Sequence, residues 1–284
     1  MNYATLGQLR AYIEPSNLDM ATEDDAKLFQ YLTWASRRVE RFCKGRRFCP
    51  RTETRSYDYQ GDSREHILDD DLLSLTTLTV DDTEISSSNY FLYPLSSYPK
   101  WKIEMDRGGG EIFTFSDTPQ SAVDVLGVWG WHDRWGDAWA DSSDTVQDSE
   151  SVAADATTLT VSDPDGDDVD GWSPRLSAGH LLKIESEYLA VTATDKDTKK
   201  LTVKRGVNGT TAAAHDNGKT IYVYRPPEVV VGATLDLAKW VYEHRSQVGG
   251  MLALPGALEG AVIKVAVQEI LGAWELPVRL GFLK

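Results

Sequence analysis

The sequence predicts an α+β protein, with a helical core and antiparallel β-strands interrupted by a small all-β insertion. Three observations predict it. Apolar stripes at helical spacing stand near both ends of the 284 residues. Between them lie short segments rich in Thr, Tyr, Val and Ile, several alternating with period two. An abrupt acidic run at 141–170 then divides the strand-rich part.

Residues 4–13 read as a short helix ended by Pro15. Thr22, followed by Glu23, Asp24 and Asp25, has the form of an N-cap with acids in the first turn, which complements the helix dipole. Leu28, Leu32, Ala35, Val39 and Phe42 then recur at spacings of three and four, the stripe of a longer helix running to about residue 45 with Gly45 as its C-cap. Segments 52–59, 74–82, 90–94, 101–105, 111–115 and 123–131 read as antiparallel strands, with a turn at Gly108, Gly109 and Gly110. Residues 132–150 read as an extended loop. A second strand-rich stretch follows at 157–163, 180–195, 199–207 and 219–226, with turns at 195–199 and 207–210. Pro226, Pro227 and Glu228 open another helix, whose apolar face is Val230, Ala233, Leu237, Trp240, Val241 and His244. A last helix spans 257–274, with Val262, Val265, Ala266, Ile270 and Ala273 on one face, before Pro277. The organisation is therefore a core in two parts, 1–140 and 224–284, around an inserted β-barrel or sandwich at 141–223.

Composition narrows the function. Apolar residues make up 41% and mean hydropathy is -0.36, which fits a soluble globular chain. Neither a secretory leader nor an apolar run of ~18 residues is expected, so no membrane partner is implied. Cys43 and Cys49 cannot make a disulfide framework or a zinc site by themselves and read as packed thiols in a reduced compartment. Net charge is -15, against a protein that grips nucleic acid through Lys and Arg. An acidic wall is suited instead to letting a duplex slide past. Ten acids and no Lys or Arg lie within 141–170: Asp141, Asp144, Asp148, Glu150, Asp155, Asp163, Asp165, Asp167, Asp168 and Asp170.

No catalytic or metal residue is assigned, and no cofactor. The chain has no nucleophile elbow, metalloprotease helix, phosphate loop or dinucleotide fingerprint. His66, His132, His180, His215 and His244 are scattered; His132 beside Asp133 is the nearest to an acid–base pair, in a loop that reads as aromatic rather than catalytic. Asp163, Asp165, Asp167 and Asp168 alternate as calcium ligands do, but Asp168 and Pro174 stand where an EF-hand needs Gly and Glu, so the run reads as a solvated turn. Trp131, Trp135 and Trp139 mark a candidate subunit or tail interface, against the plainer reading of a loop packed on its own domain.

The ordered series 3–13, 24–43, Arg46-Arg47-Phe48, 52–58, 73–81, 89–94, 125–131 and 226–245 resembles the head–tail connector (adaptor, or head-completion) proteins of tailed bacteriophages. The segment 181–192 together with 203–215 resembles a β module added to other phage structural proteins. The resemblance covers about 1–135 and 224–274; compact relatives lack 141–223. It implies a non-enzymatic virion protein at the portal vertex, assembled in the host cytoplasm. Such subunits form a ring, typically dodecameric, beneath the portal protein. The ring extends the DNA channel, passes phage DNA without reading its sequence, and receives a tail, stopper or nozzle protein. The tail residues Leu276, Arg279, Leu280 and Phe282 are the expected portal contact. A tail-completion or decoration protein whose β-domain binds host glycan is the competing reading, and a wall-sugar hydrolase working through paired carboxylates a more distant one.

Overall fold

The computed structural model describes residues 1–13, 24–169, 171 and 173–243. The expected cap at Thr22, the helix at 257–274, His244, and the tail residues Leu276, Arg279, Leu280 and Phe282 lie outside them. Three helices are described: α1 (Leu6–Ile13), α2 (Asp25–Phe42) and α3 (Glu228–Glu243). Strands β1 (Arg51–Tyr57), β2 (Glu65–Val80), β3 (Thr83–Ile85), β4 (Tyr90–Tyr93), β5 (Lys100–Met105) and β6 (Val123–Trp129) build the first β unit. The second holds β7 (Trp139–Thr145), β8 (Ser151–Val152), β9 (Thr158–Thr160), β10 (Leu181–Ile184), β11 (Glu187–Asp195), β12 (Lys200–Lys204), β13 (His215–Asp216) and β14 (Thr220–Tyr224).

This overturns the expected α+β fold with a helical core. The described residues are mostly antiparallel β-sheet, in three sheets ordered β1-β6-β2-β5-β4 (with β3 on β2), β7-β14-β10-β11-β12-β9, and β13-β8. The apolar stripes did mark helices. What they do not reveal is the partner, and here the helices share their core with a sheet rather than forming one alone.

Alternation along three strands shows how. In β10, β11 and β14, the side chains of Leu182, Ile184, Leu189, Val191, Ile221 and Val223 enter the interior of the second β unit. Their neighbours Leu181, Tyr188 and Tyr224 face the other way, into a cluster with Leu9, Leu28, Leu32, Val39 and Leu237 of the helices. Successive side chains of a strand point to opposite faces, so one sheet serves two cores. A third core fills the first β unit, around Leu72, Leu78, Ile103, Met105, Val125 and Trp129.

Two further segments differ from expectation. Residues 111–115 form no strand; only Phe113 is buried, while Ile112 and Phe115 are exposed. The expected loop contains β7, a strand with almost no apolar residues. Its buried Asp144 replaces apolar packing with hydrogen bonds, accepting from the amides of Thr145, Ser162 and Asp163 at 2.7, 2.9 and 2.9 Å.

The two β units are joined by backbone. The Thr52 amide donates to the Asn208 carbonyl at 2.9 Å, and the Asn208 side chain donates to the Pro50 carbonyl at 2.9 Å. Gly209 makes this approach close: its φ is +83°, and a Cβ there would overlap the Thr52 carbonyl oxygen. Gly209→Ala is expected to cost about 2 kcal/mol through the left-handed backbone and the clash. A urea-denaturation midpoint equal to that of the parent chain would refute this.

Candidate functional site: an aromatic cleft between the helices and the second sheet

A cleft of about 1120 Å³ opens between the N-terminal residues 2–5, the turn Trp131–Trp139, and the start of α3. The turn is held by a short 3-10 segment, Trp135–Asp137, and by the Arg225 amide donating to the Ala138 carbonyl at 2.8 Å. The structure brings Trp131 and Trp139 into the lining of one cleft, together with Tyr224. Trp135 packs beside them against the helical core, with its ring 6.5 Å from His132.

Phe48 anchors the floor. Its ring meets Tyr3 edge-on at 5.6 Å and Trp131 at 5.7 Å. Its backbone is satisfied by two phenols: the Phe48 amide donates to the Tyr3 hydroxyl at 3.1 Å, and the Tyr224 hydroxyl donates to the Phe48 carbonyl at 2.6 Å. The Tyr3 hydroxyl in turn donates to Glu40 at 2.6 Å. Burial pushes both phenols well above their ordinary range, so they stay protonated and act as struts. Trp139 lies against Tyr188 and Tyr224 at 5.1 and 5.3 Å, with the Lys183 ammonium 4.8 Å from its ring.

The histidines and arginines of the cleft are engaged with the protein. His132 accepts from the Arg134 amide at its Nδ1, 2.9 Å, which leaves Nε2 as the donor to the Arg225 carbonyl at 2.9 Å. Both ring nitrogens are thus used, and burial lowers its pKa. The Ser177 amide donates to His180 Nδ1 at 3.1 Å, and burial lowers His180 to about 4. Arg225 pairs with Asp168 at 2.6 Å, and Arg134 with Glu228 at 3.5 Å on the rim. What this arrangement offers a ligand is a wide aromatic wall with a charged rim, the composition of a protein interface.

The remaining sequence candidates fall elsewhere. Asp163 and Asp168 are drawn apart, to Arg175 at 3.5 Å and to Arg225. Among the described residues no three His, Cys, Asp or Glu side chains are grouped to hold a metal. Cys43 and Cys49 are buried, separate thiols, raised by burial to about 11 and about 12. No helix of the described residues is long and apolar enough to cross a membrane. His66 is buried between the rings of Tyr57 and Phe113, at 5.1 and 5.3 Å, and burial lowers it to about 4.

Sequence reading missed one constellation altogether. Glu187, fully buried, takes a fork of two bonds from Arg205, both 2.8 Å. It also accepts from the amides of Gly206 and Ala213 at 2.8 and 3.0 Å and pairs with His215 Nε2 at 2.8 Å. Arg205 continues to the carbonyls of Ala153 and Ala156 at 2.9 and 3.3 Å. Every lone pair of the carboxylate has a donor, so the group is a clasp for the 205–215 loop rather than a reactive acid. An acid followed at some distance by Arg-Gly and then His was the available signal. No family model matches the chain, and no curated protein matches it either.

Proposed function

We propose that this chain is a structural virion protein, a head–tail connector (adaptor) subunit. It forms a ring beneath the portal, extends the DNA channel and joins head to tail. The observation that carries the structural side of this reading is the cleft of Trp131 and Trp139. Its aromatic surface is fixed from behind by Phe48 and Tyr224, and its histidines are spent on backbone groups. Such a wall receives a packed side chain or helix from a neighbour rather than a reacting small molecule. The ordered resemblance of segments 3–131 and 226–245 to connector proteins supports the same reading, and the acidic balance suits a channel that DNA slides through.

Negative-stain microscopy with light scattering tests it. Closed rings with a mass that is a multiple of 31.6 kDa are expected at raised protein concentration. Trp131→Ala with Trp139→Ala is expected to shift the population toward the single subunit. A chain that stays at 31.6 kDa throughout and binds arrayed glycans would favour the decoration-protein reading instead.

A further inference from the structure

The acidic total conceals a local reversal. Residues 37–55 hold eight Arg or Lys and two Glu, a net of +6 within a chain of -15. They run from the last turns of α2 into β1 and converge beside a pocket of about 280 Å³. Arg47, Arg51, Arg55, Glu53, Asp70 and Trp129 line it.

The cations here are of two kinds. Arg51 and Arg55 share Glu53, at 2.6 and 2.8 Å, and Arg55 also holds Asp70 at 2.6 Å. Its guanidinium lies 4.2 Å from the centre of the Trp129 ring, which fixes its plane. Arg41, Lys44 and Arg47 are exposed and have no ion pair with any described residue. Arg47 is nonetheless presented from a rigid base. Its carbonyl accepts the Trp131 amide at 2.8 Å, and the adjoining Phe48 is the anchored core residue described above. Cations near a helix C-terminus also offset its dipole, which accounts for Arg41 and Lys44 in part but not for Arg47, beyond the helix, at the pocket mouth.

We infer that this patch binds the phosphodiester backbone of a nucleic acid, without regard to sequence. The patch favours a polymer over a single ion. Arg51 and Arg55 converge on Glu53 at one end of the patch, while the unpaired Arg41, Lys44 and Arg47 carry the charge from the last turn of α2 to the pocket mouth. Three unpaired cations set along one surface match successive phosphates of a chain rather than one ion. Guanidinium forks match phosphate oxygens in pairs, and the patch is built mainly from arginine. Glu40, Glu53, Asp70 and Asp71 pair with Arg37, Arg51, Arg55 and Arg46 and offset that part of the charge, but Arg41, Lys44 and Arg47 stay unpaired among the described residues, and at physiological salt carboxylates beyond about 8 Å are largely screened from them. The inference goes beyond the connector reading and stands whether or not rings form. In a ring, it would give an otherwise repelling surface one fixed line of contact with DNA.

Fluorescence anisotropy of a labelled 20-base-pair duplex with the full chain tests it. Binding is expected at 50 mM salt, with affinity falling on a log–log salt plot at a slope of about -3, as for some three neutralised phosphates. Lys44→Glu with Arg47→Glu is expected to lose at least tenfold in affinity with an unchanged circular-dichroism spectrum. Lys196→Glu with Lys199→Glu, in the exposed β11–β12 turn, should bind like the parent. Absence of binding by the folded parent at 50 mM salt would overturn the inference. So would equal loss in the two double variants, and so would displacement of the duplex by polyglutamate at equal charge, which would assign the patch to an acidic protein surface.

Discussion

Glu187→Gln should lower stability by about 3–5 kcal/mol, the range for breaking a buried ion pair while leaving its partner in place. The substitution keeps the shape but removes the charge that Arg205 and two backbone amides address. Arg205 would then remain almost fully buried without a counter-charge. Differential scanning calorimetry should show a melting temperature lower by roughly 10 °C for a chain of this size. Acid should expose the same clasp in the parent chain. Burial by itself would raise the Glu187 carboxyl, but Arg205, the Ala213 and Gly206 amides and His215 outweigh it and hold the group at about 2. A carboxyl held lower in the folded than in the unfolded chain adds stability that is complete above the ordinary value near 4.5 and is lost as pH falls toward 2. That window carries about 3 kcal/mol. Glu187→Gln should flatten this part of the acid limb, and an identical acid limb in both proteins would refute the account.

Leu32→Ala is the second large effect, at about 3 kcal/mol. Leu32 is fully buried in α2, in the cluster where all three helices meet Leu181, Tyr188 and Tyr224 of the sheet. The floor of that cluster is hydrogen-bonded strand, which cannot sink to fill a void, so most of the cavity term should remain. Urea denaturation should show a lower midpoint at an unchanged slope. A loss below about 1 kcal/mol would mean that the helices close over the gap, and that the sheet is not the rigid partner described.

Much of this architecture was legible in the sequence because its signal is local. The α2 stripe from Leu28 to Phe42 is one face of one helix, although the helix ends at Phe42 with Cys43 as its cap, short of the Gly45 expected. The period-two segments at 52–57 and 123–129 became neighbouring strands, with Arg51 opposite Trp129 and Tyr57 opposite Val123. Signals that depend on distant partners were not legible. The first half of β2 contains Asp69, Asp70 and Asp71, which look like a loop until Arg55 and Arg46 are seen to pair with Asp70 and Asp71. β7 hides because Ser142 and Asp144 are buried polar residues whose donors come mostly from the following turns. The alternation at 111–115 misled in the opposite sense, since Phe113 fills the first unit's core from an irregular segment.

The candidate site divides in the same way. Trp131, Trp135 and Trp139 are close in sequence and were read as a group. Tyr224 and His180 reach the cleft only through the fold. The basic patch was overlooked for another reason: a net charge of -15 is a sum, and it averages out a stretch of nineteen residues with a net of +6. Screening makes the local patch the physically relevant unit, with Asp70 and Asp71 counted in it beside Arg55 and Arg46.

The sheet that serves two cores has a mechanical consequence. Its strands carry Leu182, Leu189 and Val223 on one side and Leu181, Tyr188 and Tyr224 on the other. A pull on the second β unit therefore reaches α1, α2 and α3 through close-packed side chains instead of through a tether. The Pro50–Asn208 and Thr52–Asn208 hydrogen bonds give the first β unit its own link to the same load path. Stiffness of this kind suits a part that must transmit force without bending.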